Sequence, residues 1–118
     1  MWNLGRLLRE AIASYPTDEK ILVMGTGGLS HQLQGARAGF INPVADREWI
    51  ARIGADPARY RAMSREDYVE EFGSEGAELI MWLVMRGCMD ADVRTLHQHY
   101  FAPASMTGAG MVLMENIR

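Results

Sequence analysis

The stretch ILVMGTGGLSHQL, residues 21–33, decides the fold class of this chain. Residues 21–24 form a continuous apolar run, and Gly25, Gly27 and Gly28 follow directly. A short apolar run bounded by glycines is typical of a buried strand in a parallel sheet. We therefore predict a buried strand over 21–24 that ends in a glycine-rich loop, the kind of place where functional side chains often lie.

Helical patterns surround this predicted strand. Apolar residues at helical spacing predict an amphipathic first helix that ends before Pro16: Leu4, Leu7, Leu8, Ala11 and Ile12. Short helices are predicted over 45–53 and after Pro57. The order helix, strand, glycine loop is typical of an α/β fold, so we expect one α/β domain over 1–118, with a few strands of a central sheet flanked by helices.

Two further helices are predicted in the middle of the chain. Ser64 and Asp67 have the spacing of a capping box, and Gly73 can end the helix that they begin. Ser74 is a candidate cap for the next helix, EGAELIMWLVMRG, which is apolar on nearly every face and is therefore expected to be buried on all of them. The segments 92–101 and 111–117 are compatible with either a helix or a strand.

Composition excludes several function classes. The net charge of −3 argues against nucleic-acid binding, and the longest apolar run, residues 79–85, is too short to span a bilayer. The single cysteine, Cys88, indicates a reducing compartment, so we expect a cytoplasmic protein in which this thiol packs at a helix end. The nine methionines are interpreted as core filling.

His31 is the first candidate for chemistry. The loop lacks the third glycine of a dinucleotide motif and the lysine of a P-loop, which argues against phosphate binding, and Ser30 lacks the context of a nucleophilic serine. An imidazole at a strand end can carry protons at neutral pH. The alternative, that His31 only bonds the loop backbone, remains open.

Glu78 is the second candidate. It is a single carboxylate within an apolar run, and a buried carboxylate needs a cation, hydrogen-bond donors or a metal. Arg37, Arg47 and Arg86 are possible ion-pair partners, which leaves a structural role open. His97 and His99 would share one face of a strand and are a weak candidate metal pair.

Three blocks of the sequence closely resemble one enzyme family: GTGGLSHQLQGARAGFINP, GSEGAELIMWLVMRG and HYFAPAS. They are similar to the C-terminal half of class III, LigB-type extradiol ring-cleaving dioxygenases, such as the protocatechuate 4,5-dioxygenase β subunit and gallate dioxygenases. The resemblance covers about residues 20–116. It implies a partial LigB-like α/β fold and cleavage of a protocatechuate- or gallate-like catechol by Fe(II) and O₂.

The resemblance also implies roles for individual residues. His31 corresponds to the proton-transferring histidine and Glu78 to an iron ligand. Ser105 matches a loop beside the substrate pocket, where Met106 departs from the asparagine that the family often has.

The family's two histidine iron ligands have no counterpart here. The resemblance therefore implies a partner: an N-terminal half, an α-type subunit or a further copy of the chain. A chain of this composition is then expected to expose part of a core face, and so to oligomerise or to be poorly soluble. The alternative is a non-catalytic remnant that binds a partner or an aromatic ligand.

Overall fold

The computed structural model describes residues 1–103 and 106–117. Its elements are α1 (Trp2–Ser14), α2 (Pro43–Arg52), α3 (Ala58–Ala62), α4 (Arg65–Phe72), a 3₁₀ turn (Gly76–Leu79), α5 (Ile80–Gly87), β1 (Val93–Phe101) and β2 (Ala109–Asn116). Helices and a β-hairpin together confirm the mixed α/β class. None of the described helices is long and apolar enough to cross a membrane.

The expectation of a buried parallel strand over 21–24 is wrong for this chain. These residues belong to no strand, and Ile21, Leu22 and Met24 are exposed. A strand exists only where a second strand takes up its backbone hydrogen bonds, and the described part of the chain places no strand beside this segment. The apolar run therefore lies on the surface.

The described sheet is an antiparallel hairpin. β1 pairs with β2 from Val93 opposite Asn116 to Phe101 opposite Ala109, with an irregularity between Thr95 and His97. The sequence left both segments open between helix and strand, and the pairing of one with the other decides it. Because this sheet has two strands, no further strand of the described residues pairs with the outer edge of β2.

The core is built around Trp49 of α2. Its ring lies 4.4 Å from Tyr60, 5.8 Å from Phe72 and 6.3 Å from Trp82, measured between centroids. Aromatic pairs at such distances add stability beyond the apolar area that they bury. The cluster joins α2, α3, α4 and α5, and the glycine-rich loop packs against it through Leu29.

Most of the methionines lie outside this core, contrary to the expectation, and only Met63 and Met85 are partly buried and pack against it. None of the nine is fully buried. Met24, Met81 and Met111 are among the exposed ones. α5 is likewise not buried on every face, since Met81 points to solvent, whereas Trp82 and Leu83 are buried.

α1 packs through glycine rather than through its leucines. Gly5 is buried, and a β-carbon there would overlap the carbonyl oxygen of Val84 in α5. The predicted first helix is thus confirmed, but its apolar stripe faces outward, with Leu4, Leu7 and Leu8 all exposed.

The predicted capping box is confirmed. The Ser64 hydroxyl accepts from the Asp67 backbone N–H, and the Asp67 carboxylate accepts from the Ser64 backbone N–H. Gly73 ends α4 as expected. Ser74 is not a cap: its hydroxyl donates to the Glu75 carboxylate, and Glu75 itself precedes the 3₁₀ turn.

Gly73→Ala is expected to destabilise the chain by about 2–5 kcal/mol. Gly73 has φ 89° and ψ 164°, a region that is essentially open to glycine alone. A β-carbon there would also overlap the His31 carbonyl oxygen. Urea unfolding of both proteins measures the difference.

Gly35→Ala is the matched control. Gly35 also has positive φ, 82°, but a β-carbon there would lie 3.6 Å from the Gln32 side-chain nitrogen, an ordinary contact. A loss of only about 1–2 kcal/mol is expected from the backbone conformation alone. Equal losses at the two glycines would contradict the tight contact between Gly73 and His31.

Candidate active site

The glycine loop places His31 at the junction of several elements. The His31 backbone N–H donates to the Phe72 carbonyl at 2.9 Å, and the His31 carbonyl accepts from the Gly76 N–H at 3.1 Å. On its other side His31 forms an isolated antiparallel bridge with Thr107. The end of α4, the 3₁₀ turn and the residues before β2 therefore fix this backbone.

The His31 imidazole is also fixed, and its two nitrogens differ. Nδ1 donates to the Leu29 carbonyl at 2.8 Å, which leaves Nε2 as the nitrogen that can accept or return a proton. The residue is 8% exposed, so the ring lies mostly inside the protein. His31 therefore bonds the loop backbone through Nδ1 and still has Nε2 available to carry a proton. The two roles that the sequence left open for His31 are compatible with each other.

His31 faces Glu78. Nε2 lies 3.6 Å from Glu78 Oε1, and the same carboxylate oxygen accepts from the Gly28 backbone N–H at 2.7 Å. The two candidates that the sequence singled out, 47 positions apart in the numbering, are therefore neighbours in space.

The surroundings of Glu78 differ from the expectation. It lies in the 3₁₀ turn that precedes α5, and its side chain is 47% exposed, so it is not a carboxylate buried in an apolar helix. Exposed ends of 3₁₀ turns carry polar side chains without the cost of burial. Because Glu78 has apolar neighbours on both sides in sequence, the pattern predicted burial and did not indicate that its side chain is exposed.

None of the three arginines proposed as partners pairs with Glu78. Arg86 is buried and donates to the carbonyls of Gly54, Asp90 and Ala91. Arg37 donates to main-chain carbonyls of α4 and packs on the ring of Phe40. Arg47 lies over the ring of Tyr100. The ion-pair interpretation of Glu78 is therefore wrong for these partners.

Small residues make room for the pair. Gly27 has φ 140°, and a β-carbon there would lie 2.9 Å from Glu78 Cγ. At Gly28 a β-carbon would lie 3.0 Å from His31 Cε1. The Trp82 indole donates to the Gly27 carbonyl at 3.2 Å and so ties the loop to α5. Gly27 and Gly28 of the predicted glycine-rich loop are thus required by close packing.

The remaining candidates lie elsewhere. His97 and His99 are exposed on β1. Cys88 is buried at the end of α5, where burial raises the pKa of its thiol, in accord with a packing role. Ser30 is fully buried, which argues against a nucleophile. Ser105 lies outside the described residues, and its neighbour Met106 has a positive φ of 60°.

Comparison with known proteins shows the family of this chain. Residues 1–114 match the family model described as the catalytic LigB subunit of aromatic ring-opening dioxygenase. The chain belongs to the LigB family. The gallate dioxygenase of Pseudomonas putida KT2440 is 46% identical to this LigB chain over 115 residues. The match covers 98% of this chain and 34% of that protein, so the LigB chain spans about a third of its relative's length.

Sequence reasoning missed one buried group beside His31 of this LigB chain. Asp46 of α2 is fully buried and accepts hydrogen bonds from Ser30 and Tyr100. The partners lie 16 and 54 positions away in sequence, so no local pattern signals the contact.

Proposed function

We propose that this chain is the part of a LigB-type ring-cleaving dioxygenase that carries its proton-transferring histidine and one metal-binding carboxylate. The observation that carries the proposal is the position of His31 Nε2 beside Glu78 Oε1, 3.6 Å apart. The substrate class that we propose is a catecholic acid such as protocatechuate or gallate, cleaved with O₂. The LigB match and the identity to a gallate dioxygenase support it.

His31 would act as general acid and base. With Nδ1–H held on the Leu29 carbonyl, the imidazole can take a proton from a substrate hydroxyl at Nε2 and return it later without turning. A positioned proton carrier of this type contributes typically about 10²–10⁴-fold to rate.

Glu78 would supply one ligand to Fe(II). Its carboxylate is exposed and oriented by the Gly28 N–H, and carboxylate with imidazole is the donor set of non-haem iron sites. When bound there, Fe(II) would bring the diphenol and dioxygen to one metal. Among the described residues, however, no group of three or more His, Cys, Asp or Glu side chains could hold a metal.

The other iron ligands must then come from outside the described residues. The family resemblance implies two histidines, which we place in the portion of the LigB domain that this chain does not match. The exposed His97 and His99 are not assigned to that role, because no third ligand group accompanies them among the described residues.

An apolar groove supports a partner for this chain. It has a volume of about 1390 Å³ and runs between the extended segment 21–25 and β2, with Trp82 and Met85 also lining it. Both sides carry exposed apolar residues, including Leu22, Met111 and Leu113, and adjoining exposed apolar side chains are a candidate interaction site. We propose that the rest of the LigB domain covers the groove; an α-type subunit or a second copy is the competing occupant.

The purified chain is expected to self-associate, because none of the described residues covers this surface in the isolated chain. Sedimentation velocity at increasing concentration should show a rising mass. Leu22→Lys should shift the chain toward monomer by placing a charge at the groove, whereas Val44→Lys, at an exposed apolar position on α2 outside the groove, should not. A chain that is monomeric at all concentrations would contradict the proposed surface.

Oxygen consumption tests the activity. The chain is mixed anaerobically with Fe(II) and with a polypeptide covering the part of the P. putida gallate dioxygenase that it does not match, and O₂ uptake is then followed with protocatechuate and with gallate. Turnover that requires both polypeptides and a diphenol supports the proposal. Stable assembly without turnover would instead favour a non-catalytic binding module, the alternative that the incomplete ligand set favours.

We also propose a reducing, cytoplasmic location. The chain has one cysteine, and that thiol is buried. A disulfide within the chain is therefore impossible. Disulfides are rare in proteins of reducing compartments.

A further inference from the structure

A buried carboxylate lies directly behind the loop that carries His31. Asp46 is 0% exposed. Its Oδ1 accepts from the Ser30 backbone N–H at 2.8 Å, and its Oδ2 accepts from the Ser30 hydroxyl at 2.7 Å and from the Tyr100 hydroxyl at 2.8 Å. All three partners are donors, and a carboxylate, which only accepts, fits this set.

Ser30 is held on every side. Its hydroxyl donates to Asp46 and accepts from the Asn42 backbone N–H at 2.7 Å, and its carbonyl accepts from the Gly108 N–H at 2.9 Å. Gly108 has no room for a side chain, since a β-carbon there would overlap the Asp46 carboxylate. These contacts therefore hold Ser30, the residue before His31, in a single position.

Tyr100 extends the network to β1. Burial, and then the hydrogen bond to Asp46, raise the pKa of this phenol, so it stays protonated and continues to donate at ordinary pH. α2, the glycine loop and the hairpin thus converge on the Asp46 carboxylate.

The network bears on His31 through geometry. The imidazole is oriented by a bond from its own Nδ1 to the Leu29 carbonyl, so the direction of Nε2 depends on the backbone of residues 29–31. Phe72 and Gly76 hold that backbone at His31, and Asp46 holds it at Ser30. A well-packed apolar side chain would stabilise a core at least as well as a buried charge does, whereas a carboxylate adds directed acceptors.

We propose that Asp46 is a positioning residue for His31, acting through Ser30 to fix the Nδ1–H tautomer and the direction of Nε2. The inference rests on the proposed function of His31 as proton carrier. It adds a residue that touches neither substrate nor metal.

The first test uses the chain alone, without metal. Nitrogen-15 NMR of the imidazoles at about pH 8.5, well above the ordinary histidine pKa of about 6.5, reports which ring nitrogen carries the proton. We expect His31 to show one Nδ1–H tautomer and the exposed His97 and His99 to show mixtures. Asp46→Asn keeps the shape but replaces one acceptor oxygen by a donor, and it should move His31 toward a mixture.

Two further variants keep the test decisive. Asp56→Asn, at an exposed aspartate paired with Arg52, is the matched control and should leave the His31 signals unchanged. Tyr100→Phe removes one of the three donors to Asp46 and should shift the His31 tautomer population less, but in the same direction. This variant replaces Asp46→Asn in the test if Asp46→Asn does not fold. A lower melting temperature with an unchanged His31 tautomer in a folded variant would overturn the proposal.

The second test uses the assembled enzyme. Asp46→Asn should lower kcat by about 10–100-fold, the range for a displaced catalytic group, with KM and bound iron unchanged. A loss of iron, or a rise in KM with the same kcat, would contradict positioning of His31. If the assembly proves inactive, the proposed function fails, while the tautomer measurement still decides the role of Asp46.

Discussion

His31→Gln is expected to lower kcat of the assembled dioxygenase by about 10²–10⁴-fold, the usual contribution of a general acid or base. Glutamine can keep a hydrogen bond to the loop, but it cannot take up and release a proton near neutral pH. Iron content and assembly should stay at wild-type levels, because His31 is assigned no role in holding the metal. Steady-state O₂ uptake and iron analysis of the same samples measure both quantities.

His97→Gln is the control for this substitution. His97 is exposed on β1, so its replacement should leave kcat unchanged. A His31→Gln enzyme with wild-type kcat would remove His31 from the mechanism. An equal loss in the His97 variant would show that the effect is not specific to the buried imidazole.

Glu78→Gln is expected to weaken Fe(II) binding by at least about 100-fold, beyond the 10–100-fold typical of outer-sphere changes, because it removes a charged ligand. Turnover should fall in proportion to the metal lost. Glutamine can still accept from the Gly28 N–H, which keeps the loop in place. Anaerobic Fe(II) titration, with turnover measured at saturating iron, separates metal loss from other effects.

Glu75→Gln is the matched control, since Glu75 lies three residues earlier and its carboxylate accepts from Ser74 and from the Leu33 N–H. It should keep wild-type iron affinity. Unchanged iron affinity in the Glu78 variant would contradict the assignment of this carboxylate as a ligand.

Local signals in the sequence were sufficient for several of the helix ends. The first helix, the Ser64–Asp67 capping box and the end of α4 at Gly73 depend on residues within one or two turns of each other, and each prediction is confirmed. The choice between helix and strand for 92–101 depends on pairing with a second segment, 109–116, that follows it in the chain, and the sequence left it open.

The prediction of a buried strand over 21–24 was wrong because burial of this segment also depends on partner strands. Its composition is that of an interior strand, but whether it is interior depends on strands that the described residues do not contain. The leucine stripe of α1 and the exposed methionines fit the same explanation if the proposed remainder of the LigB domain covers them, since apolar patterning reflects burial.

The candidate site was likewise predicted in part and missed in part. His31 and Glu78 were identified from their residue types and the family resemblance, but the exposure of Glu78 was not, because the apolar pattern does not distinguish a 3₁₀ turn from the helix that follows it. Asp46 was missed entirely, since its hydrogen bonds join residues distant in sequence.

Anaerobic Fe(II) titration of the chain, alone and with the part of the gallate dioxygenase that it does not match, tests the claim that this chain holds only part of the iron site. We predict no stoichiometric binding to the chain alone, and one Fe(II) per assembled domain that depends on Glu78. Tight binding of one equivalent by the isolated chain would contradict the claim, because it would mean that this chain completes the metal site by itself.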